Sequence, residues 1–177
     1  MKQLAITVIL LGVVAGAQPP APALDPGMKR VVQIAVVTRD VEASSKRWAA
    51  ALGVAPSPMR TTKPGAEVQE MYRGKPSIGQ ARIVNFRLEG VSLEIIEPVG
   101  PDTSWREVLD QKGETLHHIA FNVQDVAGTV KHFETLGIPV MHQGLYDGLN
   151  GSYTYLDSAR SLGVIVELLS SNPRPKP

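Results

Sequence analysis

Gln33 to Val54 reads QIAVVTRDVEASSKRWAAALGV, and His118 to Ile138 reads HIAFNVQDVAGTVKHFETLGI. With one gap, Ile34, Ala35, Asp40, Val41, Lys46, Leu52 and Gly53 meet Ile119, Ala120, Asp125, Val126, Lys131, Leu136 and Gly137. Val31 to Thr38 and Leu116 to Val123 are apolar, β-branched runs of strand type. An Asp follows each as helix N-cap, apolar residues recur at helical spacing, and a Gly marks the stop. The copies also end alike, as GVSLEII from Gly90 and GVIVELL from Gly163. Ala81 to Leu88 and Ser152 to Leu156 read as further strands, with room for one more in each half. The chain thus reads as α+β, with two tandem βαβββ modules at about 29–100 and 115–169. Neither module can bury its own sheet, so both belong to one domain, 29–169.

The repeat singles out four polar residues. Gln33 and His118 occupy equivalent places on the first strands, and Glu94 and Glu167 equivalent places on the last. Each Glu is flanked by Leu, Ile or Val, where a carboxylate is costly to bury alone. Two such carboxylates at equivalent positions call for a shared partner, and a divalent cation is the simplest.

Composition removes several classes. The 177 residues contain no Cys, which excludes disulfides, thiolate metal sites and a thiol nucleophile. A net charge of +1 and 5% aromatics give no case for nucleic acid. Residues 1–17, MKQLAITVILLGVVAGA, have the pattern of a secretory signal cleaved after Ala17. The apolar run is too short for an ordinary membrane span, so the expectation is an exported, periplasmic or secreted protein without a membrane anchor after cleavage. Removal of Lys2 with the signal leaves basic and acidic side chains equal in number. Residues 18–28 read as a Pro-rich linker and 170–177 as a flexible tail.

The block EIIEPVGPDTSWREVLDQKGETLHHIAFNVQDV, Glu94 to Val126, is similar to the corresponding block of methylmalonyl-CoA epimerases. YTYLDSARSLGVIVELL, from Tyr153, resembles the ending of small glyoxalase-type proteins. The chain therefore resembles the vicinal oxygen chelate superfamily, with its glyoxalases, bleomycin-resistance proteins, epimerases and extradiol dioxygenases. The resemblance implies a curved, cup-like mixed sheet with helices outside. It also implies one metal held by Gln33, Glu94, His118 and Glu167, a donor set similar to that of eukaryotic glyoxalase I. Mostly oxygen donors suit Mn, Co, Ni, Zn or Mg.

The activity implied is metal-dependent isomerisation, epimerisation or lyase chemistry through an enolate-type intermediate. Its substrate would be a small carbonyl or carboxy-acyl compound, with Glu167 and Glu94 as catalytic acid and base. The alternative is a non-catalytic binding or sequestration protein of bleomycin-resistance type, with the four residues as a hydrogen-bond network. Val37, Pro98 and Glu114 stand where glutathione-dependent relatives carry their glutathione contacts, which argues against that substrate. Epimerases carry a second, non-ligand Glu; near Ser77 none is evident, and Glu67 or Glu70 would serve only if the loop folds over.

Tyr153 and Tyr155 alternate along one strand and share a face, where they could touch substrate. Residues 59–79 form the candidate lid, with Arg60, Lys63, Arg73 and Lys75 available to an anion. Strict alternation puts His117 on the face opposite His118, near solvent; His132 and His142 are read as solvent-facing or near loops. Dimers are common among relatives, which leaves a homodimer open.

Overall fold

The computed structural model describes residues 26–171. The signal segment, most of the linker and the last six residues lie outside the described residues. Pro26–Lys29 forms a 3-10 turn, and Met28 packs on the core of the second module, so the linker ends before it. Among the described residues, no helix is long and apolar enough to cross a membrane.

The first module contributes β1 (Val31–Val37), α1 (Val41–Leu52), β2 (Arg60–Thr61), β3 (Met71–Tyr72), β4 (Lys75–Pro76), β5 (Gln80–Leu88) and β6 (Val91–Val99). A helix that the repeat does not foretell, α2 (Ser104–Lys112), connects the modules. The second module contributes β7 (Thr115–Asn122), α3 (Val126–Thr135), β8 (Val140–Leu145), β9 (Ser152–Leu156), the short α4 (Ala159–Leu162) and β10 (Ile165–Ser170). Ser170 is the buried last residue of β10 rather than the start of a tail, because Ser152 pairs with it.

All ten strands form one curled mixed sheet in the order β2-β5-β6-β1-β7-β10-β9-β8-β3-β4. Its register carries the internal symmetry. Ala35 lies beside Glu94 in the parallel β1–β6 pair, and Ala120 beside Glu167 in the parallel β7–β10 pair. At the centre β1 and β7 run antiparallel, with Gln33 opposite Ala120 and Ala35 opposite His118. Exchanging the modules exchanges these two pairs, so β1 and β7 straddle a pseudo-twofold axis.

The caps follow the residues. Asp40 accepts the Ala43 N–H at 2.9 Å, and Asp125 accepts the Gly128 N–H at 2.8 Å. α1 covers one face of the first module through Val41, packed with Val84, Phe86, Leu93 and Ile95. α3 covers the same face of the second through Phe133, packed with Leu156, Val166 and Leu168. Alternation sends Ala35, Val37, Ile83, Ile96 and Ile165 to the other, inner face. There α2 inserts Trp105, Val108 and Leu109 and closes one end of the cup.

The candidate lid is ordered. After β2 the chain crosses the cup, and β3 pairs antiparallel with β8 of the other module. The β3–β4 hairpin turns at Arg73 and Gly74, both with positive φ (47° and 77°), the backbone of a tight two-residue turn. At the root of this crossing, a Cβ on Gly65 would lie 2.5 Å from the Ser77 carbonyl oxygen and 3.1 Å from Glu70 Cβ. The first of these neighbours is backbone and cannot swing away. Gly65→Ala should therefore cost about 1–3 kcal/mol, read as a lowered midpoint in chemical denaturation. A variant as stable as wild type would contradict this packing.

Candidate functional site

The four residues placed by the repeat meet on the inner face. Gln33 Nε2 donates to Glu94 Oε2 at 2.8 Å and lies 3.3 Å from His118 Nε2. His118 Nε2 lies 3.0 Å from Glu167 Oε2. His118, Glu94 and Glu167 are all buried. Burial, above all, raises the Glu94 carboxyl to about 7; Glu167 pushes it further up, while His118 and Arg60 pull it down.

His117 does not face solvent. Ala35 pairs with His118 but Val36 with Leu116, so a β-bulge leaves His117 as the extra residue and breaks the alternation. Both imidazoles are buried, with their Nδ1 atoms 2.8 Å apart. Burial first, then the neighbouring His118, holds His117 well below the ordinary histidine value. One Nδ1 must donate and the other accept. When His118 Nδ1 donates, its Nε2 turns a lone pair toward Glu167 Oε2, and that oxygen accepts no aligned hydrogen bond.

Two acceptors facing each other among buried carboxylates suit a cation in donor type: one imidazole, two carboxylates and the Gln33 amide oxygen. As they stand, the side chains are drawn onto one another. Among the described residues no three His, Asp or Glu side chains are arranged to hold a metal ion.

A cavity of about 400 Å³ opens from this cluster. Gln33, Glu94 and Glu167 form its polar end. Tyr153 and Tyr155 line it together, as alternation along β9 requires, and Trp105 joins them. Trp105 Nε1–H donates to the Tyr155 hydroxyl at 3.2 Å. Burial, with the Glu167 and Glu94 charges, raises Tyr155 well above the ordinary phenol value.

Arg60 also lines the cavity, with its guanidinium 4.0 Å from Glu94 and 3.6 Å from Asp147. Arg73 does not reach it. From the hairpin turn, Arg73 forms ion pairs with Glu107 at 2.8 Å and Asp157 at 3.1 Å on the outside. Lys63 and Lys75 are exposed and do not line the cavity.

A second polar cluster has no counterpart in the repeat. The crossing loop brings Glu70 into the cup wall, where its carboxylate accepts from Ser77 at 2.5 Å and Tyr153 at 2.6 Å. His142 Nε2 lies 3.3 Å from Glu70, and its Nδ1 lies 2.9 Å from the Ser104 hydroxyl. His142 is fully buried against Trp105, Tyr72, Tyr153 and Tyr155, because the β3–β4 hairpin and α2 cover β8. His132, on α3, is half-buried against Phe133.

The chain belongs to the Glyoxalase/Bleomycin resistance protein/Dioxygenase superfamily, whose family model matches residues 32–155. Solved structures share the architecture. Methylmalonyl-CoA epimerase from Mycobacterium tuberculosis is 14% identical with a TM-score of 0.59, over 88% of this chain and 93% of that one. A point variant of the Streptomyces coelicolor epimerase, in complex with 2-nitronate-propionyl-CoA, is 23% identical with a TM-score of 0.57, over 84% and 98%. At these identities the likeness shows the fold alone. The uncharacterised protein YqjC of Bacillus subtilis (strain 168) is 28% identical over 90 residues, 50% of this chain. The match spans 64% of that relative's length.

Burial alone would raise Glu70, but His142, Ser77 and Tyr153 outweigh it and hold the carboxyl below its ordinary value. Its stabilisation is therefore present at neutral pH and lost as pH falls through the depressed value. Wild type should lose stability from neutral into acid pH more steeply than Glu70→Gln, measured by urea denaturation across that range. Parallel curves would rule out the charged, hydrogen-bonded Glu70.

Proposed function

We propose that this chain is a divalent-metal-dependent isomerase or epimerase that moves a proton next to a carbonyl in a small substrate. The observation carrying this reading is the symmetric convergence of Glu94 and Glu167, with Gln33 and His118, at the polar end of one cavity. His118 Nε2, the Gln33 amide oxygen and the two carboxylates would hold the ion. Bound there, it would supply Lewis-acid polarisation of substrate oxygens.

The chain's own groups do the rest. Glu94 and Glu167 project from parallel pairs on opposite sides of the pseudo-twofold, so they can address a bound carbon from two directions. One carboxylate takes a proton on Oε and the other returns it. The His117–His118 contact fixes which imidazole nitrogen faces the site. The aromatic wall limits water around the reacting carbon.

The second reading is ligand sequestration without turnover, favoured by the direct hydrogen bond that Gln33 already makes to Glu94. The amino-terminal segment extends the proposal to an exported protein.

Protein purified without chelator should carry about one equivalent of divalent metal by elemental mass spectrometry. The Glu94→Ala, Glu167→Ala double variant should carry essentially none. Wild type that stays metal-free after reconstitution would overturn the isomerase reading and leave sequestration.

A further inference from the structure

The cavity also constrains what can enter it. Glu70, Glu94, Asp147 and Glu167 all line it, and among the described lining residues Arg60 has the one cationic side chain. Arg60 is already shared between Asp147 and Glu94. With a divalent ion balancing Glu94 and Glu167, Arg60 is matched by Asp147, and Glu70 is held by His142, Ser77 and Tyr153, so among the described lining residues no cation is left without a carboxylate partner. Asp147 stands half exposed and also accepts the Lys63 N–H at 3.0 Å, which ties its carboxylate to the crossing loop. A phosphate or carboxylate tail passing there would meet Asp147 beside an Arg60 that Asp147 and Glu94 already engage.

Apart from Gln33 and Thr62, the remaining side chains of the wall are aromatic or aliphatic. The rings of Trp105, Tyr153 and Tyr155 lie within 5.6–6.2 Å of one another. Their polar tips are engaged by the protein: Trp105 donates to Tyr155, and Tyr153 to Glu70. Ring carbon is therefore what this wall offers a ligand, beside Ile83, Val68 and Leu145. The volume of about 400 Å³ admits a compact molecule.

We infer that the ligand of this site is a small, uncharged hydroxy- or keto-carbonyl compound bearing an aryl or similarly flat apolar group. Its oxygens face Glu94 and Glu167, and its ring lies against Trp105 and Tyr155. A nucleotide-tailed thioester or a glutathione conjugate does not fit this charge pattern. The inference rests on the isomerase reading for the orientation of the carbonyl, but the ligand class can be tested without turnover.

The probes are phenyl hydroxymethyl ketone, hydroxyacetone and methylmalonyl-CoA, each titrated calorimetrically into the full chain with and without added Mn(II). The phenyl ketone should bind about tenfold or more tightly than hydroxyacetone, the difference a ring contact supplies. Trp105→Leu should abolish that difference. Should this variant not fold, Asp147→Asn at the half-exposed rim supplies the second measurement. It should strengthen methylmalonyl-CoA binding while leaving the phenyl ketone unchanged. Equal or tighter binding of methylmalonyl-CoA by wild type would overturn the inference. So would a phenyl preference that survives in Trp105→Leu.

Exchange of the protons next to the carbonyl for deuterium (the hydroxymethyl CH2 of the ketones, the C2–H of methylmalonyl-CoA), followed by NMR, separates the two claims. Phenyl-ketone binding without exchange supports the ligand class and counts against isomerisation. Exchange confined to methylmalonyl-CoA does the reverse.

Discussion

The antiparallel pairing of β1 with β7 is the constraint on which the rest of the molecule depends. It places Gln33 across from Ala120 and Ala35 across from His118, so each module's first strand sits against the other's. The parallel partners β6 and β10 then bring Glu94 and Glu167 in from either side. A one-residue slip in either pairing would send a carboxylate to the outer face, against Val41, Val84 and Phe86 in the first module or Phe133 and Leu156 in the second. Register and site are thus set by the same apolar alternation.

The bulge at His117 refines this arrangement. One extra residue in β7 turns a second imidazole inward and buries it against the first. The cost of burying two imidazoles and two carboxylates is met by mutual contacts: Gln33 with Glu94 and His118, and His118 with Glu167. Such a cluster is stable only if its members are held within hydrogen-bond reach, and strands paired on both edges, as β6, β1, β7 and β10 all are, provide that rigidity.

The crossing loop adds what the symmetric pair of modules lacks. By pairing β3 with β8 it ties the first module to the far edge of the second and brings Glu70 into the wall. α2 packs on the inner face beside this crossing, with its Glu107 paired to Arg73, and brings Trp105 against His142 and Tyr155. These two segments break the twofold: the strands of the repeat supply the polar end and Tyr153 and Tyr155, and the added segments supply Glu70 and Trp105.

The repeated strands, helices α1 and α3, the Asp40 and Asp125 caps and the four converging polar residues were legible in the chain alone, whereas α2 and the short strands β2, β3 and β4 were not. Period-two and helical patterns are local, and duplication supplies an internal alignment. The shared face of Tyr153 and Tyr155 was legible for the same reason. His117, His142, Glu70, Trp105 and Arg73 were not. A bulge shifts register without a sequence mark, so alternation alone points His117 outward while its pairing with β1 turns it inward. The burial of His142 and Glu70 depends on a loop docking some seventy residues along the chain, against a strand of the other module. Arg73 sits in that loop, yet its charge is taken up outside the cup by Glu107 and Asp157. Local periodicity specifies which residues share a face. Only tertiary packing decides which faces are covered, and therefore which charges are buried and what they meet.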